Sequence, residues 1–373
     1  MRCLVIHINY NHYILEHLKL IQFEELELVK LCAAAGYSTM QEIRFTLSHI
    51  NTNTFISNDR LEQIQQAAKL QNAKAVIFNA SLSARQELNI KEFLKLEVRT
   101  RNIIILELFS KHAVSSDSKL HVSLARLEIS RASLVGHWTH LERQRGGTGT
   151  RSGPGETQFE SDRRGLDVKI TSLRKKIKKV ALRRKEFQYR KRDSVFRIAI
   201  VGYTNSGKTT LFNALSRANR VVADQWFATL DPLARRIFVT GLERTTEVVL
   251  LDTVGFISHL PKQLKEAFTA SLEEILSADL ILHVIDCARV GYHDRIAVVE
   301  NQLSELGVLS TVPIIEIYNK IDLINVPSSS VYLPEQNKYR IYLSALNQPQ
   351  LPTIHSLIAS QIHNNYSKIN IVC

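Results

Sequence analysis

The chain has 373 residues and a mass of 42.5 kDa, enough for two or three domains with buried cores. Apolar residues make up 45% and charged residues 23%. That balance excludes a mainly disordered chain, and no run approaches the roughly 18 apolar residues of a membrane span. Lys and Arg number 48 against 36 Asp and Glu, a net charge of +12 that suits a polyanionic partner. The four cysteines form no C-x-x-C pair, so neither a zinc site nor a disulfide framework is indicated, and a reducing cytoplasm is the natural setting. The N-terminus, MRCLVIHI, has no long apolar core and no small-residue cleavage site of a signal peptide.

In chain order, residues 1–118 alternate short β-branched runs with helical patterns. CLVIHI, AKAVIFNA and NIIILELF read as strands, and 23–36, 59–71 and 84–95 as helices, the first ending at Gly36. Near-uniform apolar strands between helices imply a parallel α/β sheet covered on both faces. No glycine-rich phosphate loop and no cluster of His or carboxylates stands here, and the plain reading is a packed scaffold or docking module.

Residues 119–193 change character. Leu120, Leu127, Leu134 and Leu141 recur every seven residues with Leu124 and Trp138 between them. A second stripe runs through Leu166, Ile170, Leu173, Ile177, Val180 and Phe187. The intervening RQRGGTGTRSGPGETQ, at 143–158, is too rich in Gly and Pro to continue either helix. Two apolar stripes joined this way predict an antiparallel helical hairpin whose stripes bury each other. The second helix carries 14 Lys/Arg and 3 Asp/Glu between Arg163 and Asp193, a local +11. Its Arg174, Lys175, Lys178 and Lys179 must therefore face water or a partner. The connection is longer than the two to eight residues a simple helix–helix turn needs. It carries Arg143, Arg145 and Arg151 among small residues such as Gly146 and Gly147, which let backbone approach a ligand closely.

Residues 194–366 predict a second, doubly wound α/β domain, followed by a short tail at 367–373. Strands are expected at 195–201, 246–252, 279–286, 312–318 and 340–344, helices at 208–217, 260–277, 293–306 and 353–364, and a surface loop at 325–336. Between the first strand and the first helix, Gly202, Tyr203, Thr204, Asn205, Ser206, Gly207, Lys208 and Thr209 match G-x-x-x-x-G-K-[ST]. Loop amides and a helix N-terminus meet phosphates there. Lys208 reaches the β- and γ-phosphates, the Thr209 hydroxyl ligates Mg²⁺, and Thr210 follows in the first helical turn. Asn319, Lys320 and Asp322 form N-K-x-D at a strand end. A carboxylate at the guanine edge accepts from N1–H and the 2-amino group together, a donor pair that adenine lacks. Ser344, Ala345 and Leu346 follow the last strand, where a backbone N–H can meet the guanine O6. Asp252 ends another strand and is suited to hold Mg²⁺ through water, with the Gly255 N–H on the γ-phosphate. These elements stand in the order of a GTPase.

The assembly resembles the HflX family of ribosome-associated GTPases, within the TRAFAC class of P-loop GTPases. Three strings carry the resemblance: HWTHLERQRGGTGTRSGPGETQFESDRR, ADQWFATLDP and DTVGFISHLP. It implies an N-terminal α/β domain, a helical hairpin and a GTPase domain, with a switch threonine at Thr229 joining Thr209 and Asp252 around Mg²⁺ and acting in hydrolysis beside Lys208 and Gly255. The implied activity is GTP-dependent binding to the large ribosomal subunit and dissociation of stalled or idle ribosomes, with the hairpin tip entering the peptidyl-transferase region. The implied form is a cytoplasmic monomer that associates with ribosomes. Several relatives carry a further small domain beyond the point where this chain ends.

Two residues bear on mechanism. Phe256 occupies the position where many GTPases place a glutamine that orients the attacking water, so intrinsic hydrolysis is expected to be slow, on the order of 10⁻⁴–10⁻² s⁻¹. It is also readable as a simple packing residue. Asn205 resembles the loop asparagine of potassium-activated GTPases, which makes K⁺ a candidate second cation; a plain polar loop residue is the other reading. Two further functional classes fit the pattern, a GTP-timed RNA-binding factor that is not ribosomal and a membrane-signalling GTPase switch.

Overall fold

The computed structural model describes residues 1–10, 24–144, 154–191, 195–217, 233–240, 245–258, 275–289, 291–308, 312–324, 327–333, 338–347 and 351–369. The chain divides into two compact units, one built chiefly from Met1–Val180 and the other from Ala181–Leu260 with Phe268–Cys373.

The first unit holds a four-stranded, fully parallel sheet in the order β2-β1-β3-β4. Its strands are β1 (Arg2–Tyr10), β2 (Ser38–Leu47), β3 (Ala75–Phe78) and β4 (Glu97–Thr100). β1 is central and buried from Cys3 to Ile8. Helix α1, over 24–35, ends at Gly36, whose φ of +97° places it in the left-handed region and lets the Tyr37 N–H reach back to Cys32 O at 2.9 Å. Helix α2 (Asn58–Leu70) turns Leu61, Ile64 and Ala68 to the core. Helix α3 (Ala84–Leu94) starts with a capping box, Ser83 Oγ accepting from Gln86 N–H and Gln86 Oε1 from Ser83 N–H.

The segment expected as a strand at NIIILELF is instead helix α4 (Arg101–His112). Ile104, Ile105, Leu106, Leu108 and Phe109 are all buried, so the helix is apolar on more than one side and shows no clean period. The true neighbouring strand is β4, four residues of mixed polarity with no strand pattern of their own.

Two long helices follow, α5 (Ser116–Gln144) and α6 (Pro154–Lys191). α5 packs on α3 and α4. Arg131 pairs with Asp167 at 3.2 Å and Arg174 with Glu128 at 2.7 Å, a descending match that makes the two helices antiparallel. Leu124 and Ile170 are buried, and Leu120, Leu127, Leu134, Leu166, Leu173, Ile177 and Val180 are half-buried. The remaining positions of α6 from 160 to 183 are nearly all exposed, as expected of facing apolar stripes. The connection expected at 143–158 is shorter, since α5 runs through Arg143 to Gln144 and α6 already begins at Pro154, a residue that helices accept in their first turn; tip residues Arg145, Gly146, Gly147 and Arg151 lie outside the described residues.

The second unit is built on a seven-stranded sheet in the order β10-β11-β9-β8-β5-β7-β6. Its strands are β5 (Phe196–Val201), β6 (Leu233–Thr240), β7 (Thr245–Asp252), β8 (Leu280–Asp286), β9 (Ile314–Asn319), β10 (Ser329–Leu333) and β11 (Lys338–Tyr342). The five inner strands are parallel and both edge strands run antiparallel. Helices α7 (Lys208–Ser216), α8 (Tyr292–Glu305) and α9 (Leu351–Ile369) accompany them. One core joins Ile198, Ile200, Leu250, Leu282, Ile317 and Ile341 of the sheet to Leu211 and Phe212 of α7 and to Ile354, Ile358 and Ile362 of α9. The expected surface loop at 325–336 contains β10, which pairs with β11 from Ser329↔Tyr342 to Leu333↔Lys338. An edge strand has one open side and tolerates the serines that suggested a loop. The helix expected at 260–277 and the switch threonine Thr229 fall almost wholly outside the described residues. α9 continues to Ile369, into the segment read as a tail.

Candidate functional site: a phosphate cradle at the strand ends

β5 is apolar and central, and it delivers the chain to the C-terminal edge of the sheet, where ligands of doubly wound folds bind. The loop that follows is built on two glycines that no other residue can replace. Gly202 has φ +153°, and a Cβ there would strike the Val284 carbonyl oxygen on β8. Gly207 has φ +98° at the N-cap of α7, and a Cβ there would strike Asn319 Nδ2. Between them the loop leads into the N-terminus of α7, and helix N-termini favour anions.

Lys208 begins α7 and is buried. Its Nζ donates to Gly202 O at 3.2 Å and Tyr203 O at 2.8 Å. An ammonium has three protons, so this geometry holds the head in the loop and leaves donor capacity for a phosphate. Burial pulls its pKa down to about 8, opposed by the Asp252 charge and assisted by Lys320. Thr209 Oγ1 donates to Asp252 Oδ2 at 3.0 Å. This pair of oxygen ligands, one hydroxyl and one buried carboxylate at the phosphate end of the cradle, fits a hard divalent cation that takes its other ligands from water and phosphate. Gly255 lies directly above: a Cβ there would come within 2.9 Å of Thr204 Cα and 3.0 Å of Lys208 Nζ.

The base side is braced by groups whose role the sequence did not disclose. Asn319 is buried; its Nδ2 donates to Ser206 O at 2.9 Å and its Oδ1 accepts from Ala345 N–H at 2.8 Å. One side chain thus ties the phosphate loop to the loop after β11. Lys320, at φ +69°, donates to Asn205 O and to Asp286 Oδ2, both at 2.9 Å. Asp286 ends β8, is buried, and also pairs with Arg289 at 3.2 Å. A lone Asp in D-C-A-R has no motif spacing, so nothing in the sequence singles it out. Asp322 sits exposed on a short 3₁₀ turn, Ile321–Leu323. Ser344 and Ala345 are buried and Leu346 is 77% exposed. The Ala345 N–H is already given to Asn319, so a guanine O6 would share it or take its neighbour.

Phe256 is 1% exposed. Its ring is packed, and its backbone is bonded to the phosphate loop on both sides, N–H to Gly202 O at 3.0 Å and O from Thr204 N–H at 2.8 Å. On α6, Lys175, Lys178 and Lys179 are exposed, while Arg174, also exposed, is drawn to Glu128 of α5.

The comparisons with known proteins agree with this geometry. Residues 23–110 match a family model described as GTP-binding GTPase N-terminal, 112–192 one described as GTP-binding GTPase middle region, and 197–320 one described as 50S ribosome-binding GTPase. The chain is 40% identical over 337 residues to GTPase HflX of Caldanaerobacter subterraneus subsp. tengcongensis, covering 90% of this chain and 76% of that protein. It is 37% identical over 355 residues to GTPase HflX of Escherichia coli K12, covering 94% and 82%. A solved structure described as SsGBP in complex with GDP aligns over 99% of both chains with a TM-score of 0.52 at 25% identity. A phosphate loop, an oxygen pair for a divalent cation, the N-K-x-D brace and identities of this extent over nine-tenths of the sequence lead to one conclusion: the chain is a GTP hydrolase and belongs to the HflX family of GTPases.

Proposed function

We propose that this GTPase binds the large ribosomal subunit and uses GTP binding and hydrolysis to dissociate or rescue stalled or idle ribosomes. The observation that carries the reading is the row of exposed cations on α6, on a helix whose stripe Leu166, Ile170, Leu173, Ile177 and Val180 is withdrawn from solvent. Ribosomal RNA is a polyanion, and such a face meets it through phosphate contacts. The match of 197–320 to a model described as 50S ribosome-binding GTPase supports the same partner. In this reading Arg143, Arg145, Gly146, Gly147 and Arg151 form the contacting tip, and the protein works in the cytoplasm and on ribosomes. The three-part division at 1–118, 119–193 and 194–366 then separates scaffold, RNA probe and timer.

At the nucleotide, Thr209 and Asp252, with Thr229 from the first switch, would hold Mg²⁺, which supplies charge neutralisation at the phosphates. Lys208 offers its remaining proton to the β/γ-phosphates, Gly255 its amide to the γ-phosphate, and Asp322 accepts from the guanine edge. Asn205 would flank a K⁺ ion. Asp322→Asn is expected to weaken GTP binding at least tenfold and to favour a xanthine nucleotide, because the amide then presents a donor where guanine also donates. Titration with both triphosphates checks this; wild-type GTP affinity without gain for the xanthine nucleotide removes the guanine assignment.

The partner is tested by replacing Arg174, Lys175, Lys178 and Lys179 with Gln. Ribosome affinity should fall, and the slope of log K against log salt should flatten by about 0.7–0.9 for each phosphate no longer neutralised. Arg174 already serves Glu128, so the three lysines should account for most of the change. An unchanged slope would leave this face a solvated surface. Stronger binding to transfer RNA than to large subunits would favour the reading as a non-ribosomal RNA factor.

A further inference from the structure

The segment that follows Asp252 is fastened to the phosphate loop more firmly than its sequence requires. Beyond the two backbone bonds of Phe256, the Tyr203 hydroxyl lies 2.7 Å from Ser258 Oγ and accepts from Ser258 N–H at 3.0 Å. Both residues are buried. The Tyr203 ring is itself held, with the Arg295 guanidinium of α8 5.9 Å from its centroid. Gln302 on the same helix donates to Ile257 O at 3.1 Å. Gly255, the residue whose amide is assigned to the γ-phosphate, directly precedes these tethers at Phe256 and Ser258 and packs on the phosphate loop, a Cβ on it coming within 2.9 Å of Thr204 Cα. A phosphate loop needs small residues and amides, and a tyrosine side chain with its hydroxyl turned to Ser258 serves neither need.

We propose that Tyr203 is a positioning residue of the GTPase reaction, its hydroxyl fixing Ser258 and so holding the Gly255 amide where the terminal phosphate arrives. The proposal rests on the assignment of the nucleotide site given above. A donor placed beforehand needs no reorganisation as charge develops on the transferring phosphoryl group. The diphosphate lacks the group that Gly255 meets, so the effect of the latch falls on the triphosphate alone.

The test uses the full-length chain and compares wild type with Tyr203→Phe, Ser258→Ala, the double variant and Ser258→Thr. Intrinsic kcat and KM are measured, together with the affinities for GDP and for a non-hydrolysable GTP analogue. Tyr203→Phe removes both hydroxyl bonds and should lower kcat about fivefold to tenfold, with GDP affinity held within about twofold. Ser258→Ala removes one of them and should give a smaller fall in the same direction. It should add nothing in the Tyr203→Phe background, since the two act as one unit, and Ser258→Thr should keep wild-type turnover. Turnover at or above wild type in Tyr203→Phe overturns the proposal, as does additivity in the double variant. An equal loss of GDP and analogue affinity also overturns it, because that marks a general loosening of the loop. Wild-type failure to bind either nucleotide would instead undo the site assignment.

Discussion

Asn319→Ala is expected to reduce GTP and GDP affinity by roughly two orders of magnitude and to lower the melting temperature of the protein. The substitution removes both bonds of a buried strut and leaves the Ser206 carbonyl and the Ala345 N–H without their partner. Each buried group so stranded costs about 1–3 kcal/mol, and the two belong to the loops that form the phosphate and base sides of the site. Asn319→Asp keeps the acceptor for Ala345 but sets a carboxylate oxygen against the Ser206 carbonyl, and should be at least as damaging. Calorimetric titration with both nucleotides decides the matter. An affinity within threefold of wild type would show that the phosphate loop holds its shape without the strut.

Large subunits or whole ribosomes are expected to raise GTP turnover tenfold or more. The proposed site assigns a phosphate cradle, two oxygens for a divalent cation and a base contact, but Phe256 is packed and fixed by its backbone on both sides. A phenyl ring cannot orient water, so placement of the nucleophile must come from rearranged switches or from a partner, and a supplied group is worth several orders of magnitude in such sites. Deleting 146–155 should abolish ribosome dissociation while GTP binding persists, since the nucleotide site lies in the other compact unit. Turnover measured with and without purified subunits at saturating occupancy checks the first expectation. Absence of stimulation would reject a ribosome-completed site.

The motifs of the candidate nucleotide site are legible in the sequence because each carries its own chemistry at fixed spacing, and the structure brings several of their residues together. Gly202 and Gly207 sit where a Cβ cannot, Lys208 lies in the cradle, and Thr209 touches Asp252. What stayed hidden is contact between distant residues. Asn319 reads in sequence as a base contact, and in the structure it is a strut between Ser206 and Ala345; Asp286 and the Tyr203–Ser258 pair had no pattern to announce them. In the fold, long periodic or uniformly apolar segments were read correctly: β1, α2, α3, the two hairpin helices and the inner strands of the second sheet. Failures fell on edges and on one helix, α4, half of whose residues are buried. β2, β6 and β10 are edge strands with polar residues on their open side, and β4 is a fourth, only four residues long. NIIILELF is apolar in a way that strand and buried helix share, and periodicity cannot separate them.

The burial of Lys208 also bears on how long the protein lasts. A lysine whose pKa falls from 10.5 to about 8 on folding is more protonated in the unfolded chain between those values, so stability rises with pH across that window. Below it, at neutral pH, the fold carries the whole cost of the buried ammonium, about 3 kcal/mol. That is a sizeable part of the roughly 5–15 kcal/mol by which domains are stable. A polyphosphate beside the ammonium offsets this cost, and ligation adds its own stabilisation by mass action. Release of nucleotide is therefore also a loss of folding free energy, and a chain kept free of nucleotide would open more often to proteases and chaperones.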